Sequence, residues 1–140
     1  MKKQNSTSDF ASERSEWLIA RFRQQLARQS QISLVKAFHE ATLQEAPRFW
    51  VSEQRAATVI SRMLKGETDL SDMYEEKREM YLEIYRRVKK LREERPGAHV
   101  GDLVFEVINQ TAPRSYMSWQ RAKTLINAER KRRRKERGSL

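Results

Sequence analysis

A chain of 140 residues, 38 % hydrophobic and 34 % charged, has room for one ordinary domain or two very small ones, and the regular spacing of its apolar residues excludes a disordered chain. A formal charge of +10 favours anionic polymers as partners but carries no sequence specificity. No cysteine means no disulfide framework and no thiolate zinc site, and no run approaches the ~18 apolar residues of a membrane span.

Four glycines and three prolines are few turn-formers for this length, which points to a few long helices and an all-α fold. Residues 1–11 are expected to be a disordered tail. Lys2 and Lys3 are not followed by an apolar stretch, so this segment is not read as a signal peptide, and a cytoplasmic address is expected. Ser12 is placed as the N-cap of a first helix carrying Trp17, Leu18, Phe22 and Leu26 and ending near Gln29. A second helix presents Leu34, Val35, Phe38, Ala41 and Thr42 on one face. It stops near Glu45, because Pro47 disfavours helical geometry at Ala46. Arg48 to Val51 is then extended, Ser52 caps a third helix with Ala56, Val59, Ile60 and Met63 together, and Gly66 ends it. Beyond a linker at 67–71, a long helix from Ser71 or Asp72 carries Met80, Ile84, Val88 and Leu91 and breaks at Pro96-Gly97. Val100, Leu103, Val104, Val107 and Ile108 form the next helix. Pro113 stops it, and Ser118 caps the last, which runs into the basic tail.

The chain repeats itself. Residues 46–60 read APRFWVSEQRAATVI and residues 112–126 read APRSYMSWQRAKTLI, nine identities in fifteen positions at a gapless offset of 66. Trp50 becomes Tyr116, Val51 becomes Met117 and Val59 becomes Leu125. Upstream the apolar rhythm persists, with Phe38 and Ala41 opposite Val104 and Val107. The expected organisation is two tandem three-helix units, 12–66 and 72–128, followed by a basic tail at 129–140.

Three helices with a short connector between the last two resemble, in architecture, the helix-turn-helix class of DNA-binding domains. The connector here contains a proline and an extended aromatic segment, longer than the 3–4-residue turn of the plain motif. The paired unit is also similar to small uncharacterised proteins of bacterial mobile elements. The resemblance implies a bacterial, nonenzymatic DNA-binding protein, associated with the nucleoid, whose third helices face the duplex.

The residues themselves hold no catalytic set. His39 and His99 have no metal-ligand spacing, Glu75-Glu76 and Glu93-Glu94 read as solvated helix charges, and there is no phosphate-binding glycine loop or nucleophile elbow. No enzyme activity, metal or cofactor is expected. The candidate nucleic-acid residues lie in the repeated block. Ser52, Gln54 and Arg55, and Ser118, Gln120 and Arg121, occupy first helical turns, where free N–H groups attract phosphate and Gln and Arg match adenine and guanine edges. Arg62 and Lys123 extend the charge, and Arg48 and Arg114 precede the caps. Six of the seven residues 130–136 are basic, so Arg130, Lys131, Arg132, Arg133, Arg134 and Lys135 read as a phosphate-gripping arm. The same residues admit a structural reading: helix stops, caps, core aromatics, and Arg48 and Arg114 paired with Glu40 and Glu106. A helical protein-interaction module or homodimer, using Phe49, Trp50, Tyr116 and Trp119, is the alternative function, and RNA binding is the second alternative.

Overall fold

The computed structural model describes residues 7–138, so most of the expected tail at 1–11 and the last two residues lie outside the described part. Six helices follow one another: α1 (Thr7–Ala27), α2 (Leu34–Thr42), α3 (Glu53–Leu64), α4 (Glu75–Glu94), α5 (Val100–Ile108) and α6 (Trp119–Gly138). The all-α expectation holds among the described residues. α1 starts before Ser12, which sits inside the helix instead of capping it. The physical reason is Phe10, 2 % exposed, whose ring lies 6.0 Å from that of Trp50. That partner is forty residues away and leaves no trace in the local pattern.

Helix ends follow side-chain chemistry. The hydroxyl of Ser33 accepts from the Lys36 N–H at 3.2 Å, that of Ser52 from Arg55 at 3.2 Å, and that of Ser118 from Arg121 at 3.1 Å, each satisfying an orphan donor of a first turn. Gly66, at φ +71, ends α3. Its N–H bonds to the Met63 carbonyl and that of Glu67 to the Arg62 carbonyl, the paired bonds of a left-handed helix stop. The position one repeat later is Arg132, so α6 has no such stop and continues to Gly138. α4 begins at Glu75, later than Ser71 or Asp72, because Asp69 and Leu70 are held in a turn. The Asp69 carboxylate accepts from the Ser71 N–H at 3.0 Å, and Leu70, at φ +66, is buried.

The apolar faces assemble into one continuous core, including Leu18, Phe22 and Phe38 on one side and Tyr81, Ile84, Val104 and Ile108 on the other. Phe22 and Phe38 stack at 4.6 Å. Leu34 and Val35, expected on the buried face of α2, are about half exposed; α2 buries Ala37, Phe38, Ala41 and Thr42 instead.

The repeat does not pack as two contiguous units. α1, α2 and α6 pack together, and α3, α4 and α5 pack together; α3 makes no packing contact with α1 or α2, nor α6 with α4 or α5. The third helices are exchanged between the copies. The exchange is made where the two connectors cross. Ala46 and Ala112 form a reciprocal antiparallel backbone pair, with N–H to carbonyl distances of 2.9 and 2.8 Å. On either side, the Phe49 N–H bonds to the Ile108 carbonyl at 2.9 Å and the Ser115 N–H to the Thr42 carbonyl at 3.0 Å. Phe49 and Ser115 are equivalent under the 66-residue offset, as are Thr42 and Ile108, so the crossing obeys an internal two-fold relation.

Two outcomes follow for stability. Ala46 and Ala112 are buried, and Ala112→Leu forces extra volume into the crossing. It is expected to cost about 1–3 kcal/mol, read as a lowered urea midpoint at unchanged slope. A fragment of residues 1–71 has no α4 or α5 for its α3 to pack on. It is expected to gain helicity only as it dimerises by reciprocal exchange, seen as concentration-dependent circular dichroism and a dimer mass in light scattering. A cooperatively folded monomer would contradict the exchange.

Candidate nucleic-acid interface

The exchange brings the N-termini of α3 and α6 to a single cleft of about 690 Å³ at the junction of the two halves. Ser52 and Arg55 border it from α3, and Ser118, Gln120 and Arg121 from α6. α1 contributes Phe10 and Arg14, and α4 contributes Lys77, Met80 and Tyr81. Four cationic side chains, Arg14, Arg55, Lys77 and Arg121, face one carboxylate, Glu76. Both helix dipoles add partial positive charge at the same place. Burial lowers the pKa of Arg14, and the nearby Arg121 lowers it further. Burial also pushes the Tyr81 hydroxyl up, against the opposing pull of Arg55.

The connectors form the wall. Tyr116 takes a left-handed backbone, φ +57, which costs on the order of 1 kcal/mol for a residue with a side chain. Its ring stacks on Phe49 at 6.0 Å with 10° between planes, and the Arg114 guanidinium lies 5.6 Å from its centre. Phe49 and Trp50 are buried, while Tyr116 and Trp119 are half-buried, so these four aromatics present no continuous exposed patch.

The sequence-derived residues fall into groups. Ser52, Arg55, Ser118, Gln120 and Arg121 are brought together, and Gln54 is exposed in the same first turn of α3. Arg48 and Arg114 have other work. Arg48 donates to the carbonyls of Phe49 (2.9 Å) and Val51 (2.8 Å) and lies over the Phe10 ring at 4.8 Å. Burial lowers its pKa, with Glu13 opposing. Arg114 pairs with Glu79 at 3.3 Å. Glu13 and Glu79 are one repeat apart, so both connector arginines turn to the first helix of their own copy. They do not turn to Glu40 and Glu106; Glu106 pairs with Arg95 at 2.8 Å. Arg62 is exposed in the last turn of α3, on the opposite end from the cleft. Lys123 is exposed on α6.

The arm is an unbroken continuation of α6, about 30 Å long in all at 1.5 Å per residue. Glu129 is buried and accepts from Arg132 and, at 2.7 Å, from Arg133; Arg132 also bonds Glu136. Arg132 and Arg133 are therefore tied along the helix, while Arg130, Lys131 and Arg134 are exposed. The sequence reasoning missed Arg14, Lys77 and Tyr81, which come from first helices and reach the cleft only through tertiary packing. The one available signal was Arg14 standing where the second copy has Met80.

No group of three or more metal-ligating side chains and no helix long and apolar enough to cross a membrane occurs among the described residues. No protein-family model, curated protein or solved structure matches the chain.

Two measurements probe these local devices. Ser52→Ala and Ser118→Ala are each expected to cost about 1 kcal/mol through a lost cap, measured by urea unfolding. The Arg132 hydrogen bond, seconded by Arg133, holds the Glu129 carboxyl below its ordinary range although burial works the other way. Its stabilising contribution is complete above the unfolded value of about 4.3 and is lost as pH falls through the lower folded value. The melting temperature of the native chain should therefore fall more steeply than that of Glu129→Gln as pH drops below about 4.

Proposed function

We propose that the chain is a nonenzymatic nucleic-acid-binding protein whose preferred partner is double-stranded DNA. The observation that carries this reading is the convergence of two capped, arginine-bearing helix N-termini on one basic cleft, from which α6 leads directly into the exposed cations Lys123, Arg130, Lys131 and Arg134. A free helix N-terminus and an arginine are donors suited to phosphate oxygens, and a line of cations on a straight helix matches a run of backbone charges. In this reading the exchanged units, α1–α2–α6 and α4–α5–α3, each serve as a three-helix platform, with α6 and α3 in the place of recognition helices. Because both N-termini border the same cleft, they engage adjoining positions of one site. Two half-sites a full DNA turn of ~34 Å apart are not required.

The test is fluorescence anisotropy with labelled duplex DNA across roughly 50 to 200 mM salt. Affinity should fall log-linearly with salt. Neutralising Arg130, Lys131 and Arg134 together should reduce the slope by about 2–3. Arg55→Ala and Arg121→Ala should weaken binding by about tenfold each. Absence of binding at the lowest salt, or indifference to all five substitutions, refutes the proposal. A structured RNA that competes better than duplex DNA would move the assignment to RNA.

A further inference from the structure

The interior of the cleft has a chemistry that a DNA backbone at its rim does not use. Two side chains lining it carry buried polar atoms without a hydrogen-bond partner, Arg14 Nε and Trp50 Nε1, while the buried Tyr81 hydroxyl has Arg55 beside it. Arg14 and Trp50 are 9 % and 8 % exposed. Buried polar groups are almost always satisfied, and leaving one unmade costs the full desolvation of the group. Two in one cavity, both obligate donors, define a place for an acceptor. The guanidinium of Arg14 has no carboxylate partner among the described residues, and it sits within electrostatic reach of Arg121. Two cations held together with both helix N-termini pointing to the same space are stabilised by a negative charge between them. The lining also has an apolar part, Phe10, Val51, Met80 and Met117, while Glu76 is its one carboxylate. The volume of about 690 Å³ lies within the range of sites that enclose small organic molecules.

We infer that this cleft is a binding site for a small organic anion, a carboxylate or phosphate group carried on an apolar or planar body. The anionic head accepts from Arg14 and Trp50, with Arg55 and Arg121 closing over it from the two helix N-termini, and the body packs on Phe10, Met80 and Met117. A duplex cannot be the occupant of this interior, since Tyr81 is wholly buried beneath the rim. The site stands apart from the nucleic-acid reading, because a chain that ignores DNA keeps the same unpartnered donors.

The experiment is calorimetric titration of the full chain, without nucleic acid, using four probes and one reference anion. Naphthoate is compared with neutral naphthamide, adenosine monophosphate with adenosine, and inorganic phosphate serves as the bare anion. At least one of the two organic anions should bind about tenfold or more tightly than its neutral counterpart. Tighter naphthoate assigns a carboxylate head and tighter adenosine monophosphate a phosphate ester. Arg14→Met, which installs the residue of the second copy, should weaken that binding about 10- to 100-fold without lowering the melting temperature. Should Arg14→Met fail to fold, Tyr81→Phe removes a single buried oxygen and should weaken binding severalfold. The inference is overturned if neither anion binds by about 5 mM, if the neutral probes bind as well, if inorganic phosphate binds as tightly as adenosine monophosphate and naphthoate does not bind, or if the substitution that folds leaves affinity unchanged.

Discussion

Everything in this fold depends on the reciprocal backbone pair between Ala46 and Ala112. Each connector leaves a helix that its proline will not let continue, and each must find partners for N–H and carbonyl groups that enter the core. The other connector supplies them. Both positions are 0–1 % exposed, so a larger side chain at either must displace packed neighbours. Once the connectors cross, the third helices are delivered to opposite halves, and the shared core and shared cleft are consequences. The two halves are therefore not beads on a string: each is completed by the other's last helix.

The cleft is where the fold accepts a conflict for the sake of chemistry. Like charges on Arg14 and Arg121 repel, Arg14 Nε and Trp50 Nε1 go unpaired, and Tyr116 holds a strained backbone. Outside the cleft, Arg21 Nε and Gln25 Nε2 of α1 are also buried without a partner, whereas Arg87 of α4 and Arg95 at its end are well satisfied. Arg87 donates to Gln110, to the Thr111 carbonyl and to Glu83, and stacks over Phe49 at 5.1 Å. Arg95 and Glu106 share two bonds. The α3–α4–α5 half thus partners these two arginines carefully, while Arg14 and Arg121 stay crowded at the junction.

Much of this was legible in the sequence. Pro47 and Pro113 mark where helices end, Ser52 and Ser118 cap where a hydroxyl precedes an apolar run, and Gly66 stops a helix as its freedom at positive φ requires. These are local effects, decided within four residues. The exchange was not legible, because two near-identical copies present near-identical faces. Ile60 fits α1–α2 and α4–α5 equally well by pattern, and only the path of the connector chooses. Phe10 and Leu70 look like tail and linker residues in sequence, yet both are buried, since each has a partner that only the assembled core brings near. For the same reason the first-turn residues Arg55 and Arg121 could be singled out, whereas Arg14 and Tyr81, on helices with no repeated motif, could not.

The crossing also dictates an order of events as the chain emerges from the ribosome. α1 and α2 lack their third helix until α6, more than seventy residues beyond α2, has been made, and α3 must wait for α4 and α5. Such long-range pairing slows folding and leaves apolar faces uncovered in the interval. Phe22, Phe38 and Val59 are in that exposed position for most of synthesis. Two nascent chains in that interval offer each other the very helices that each still lacks, so the route to the native monomer runs beside a route to interlocked dimers, and the short 67–71 linker favours the former by keeping the correct α4–α5 pair closest to hand.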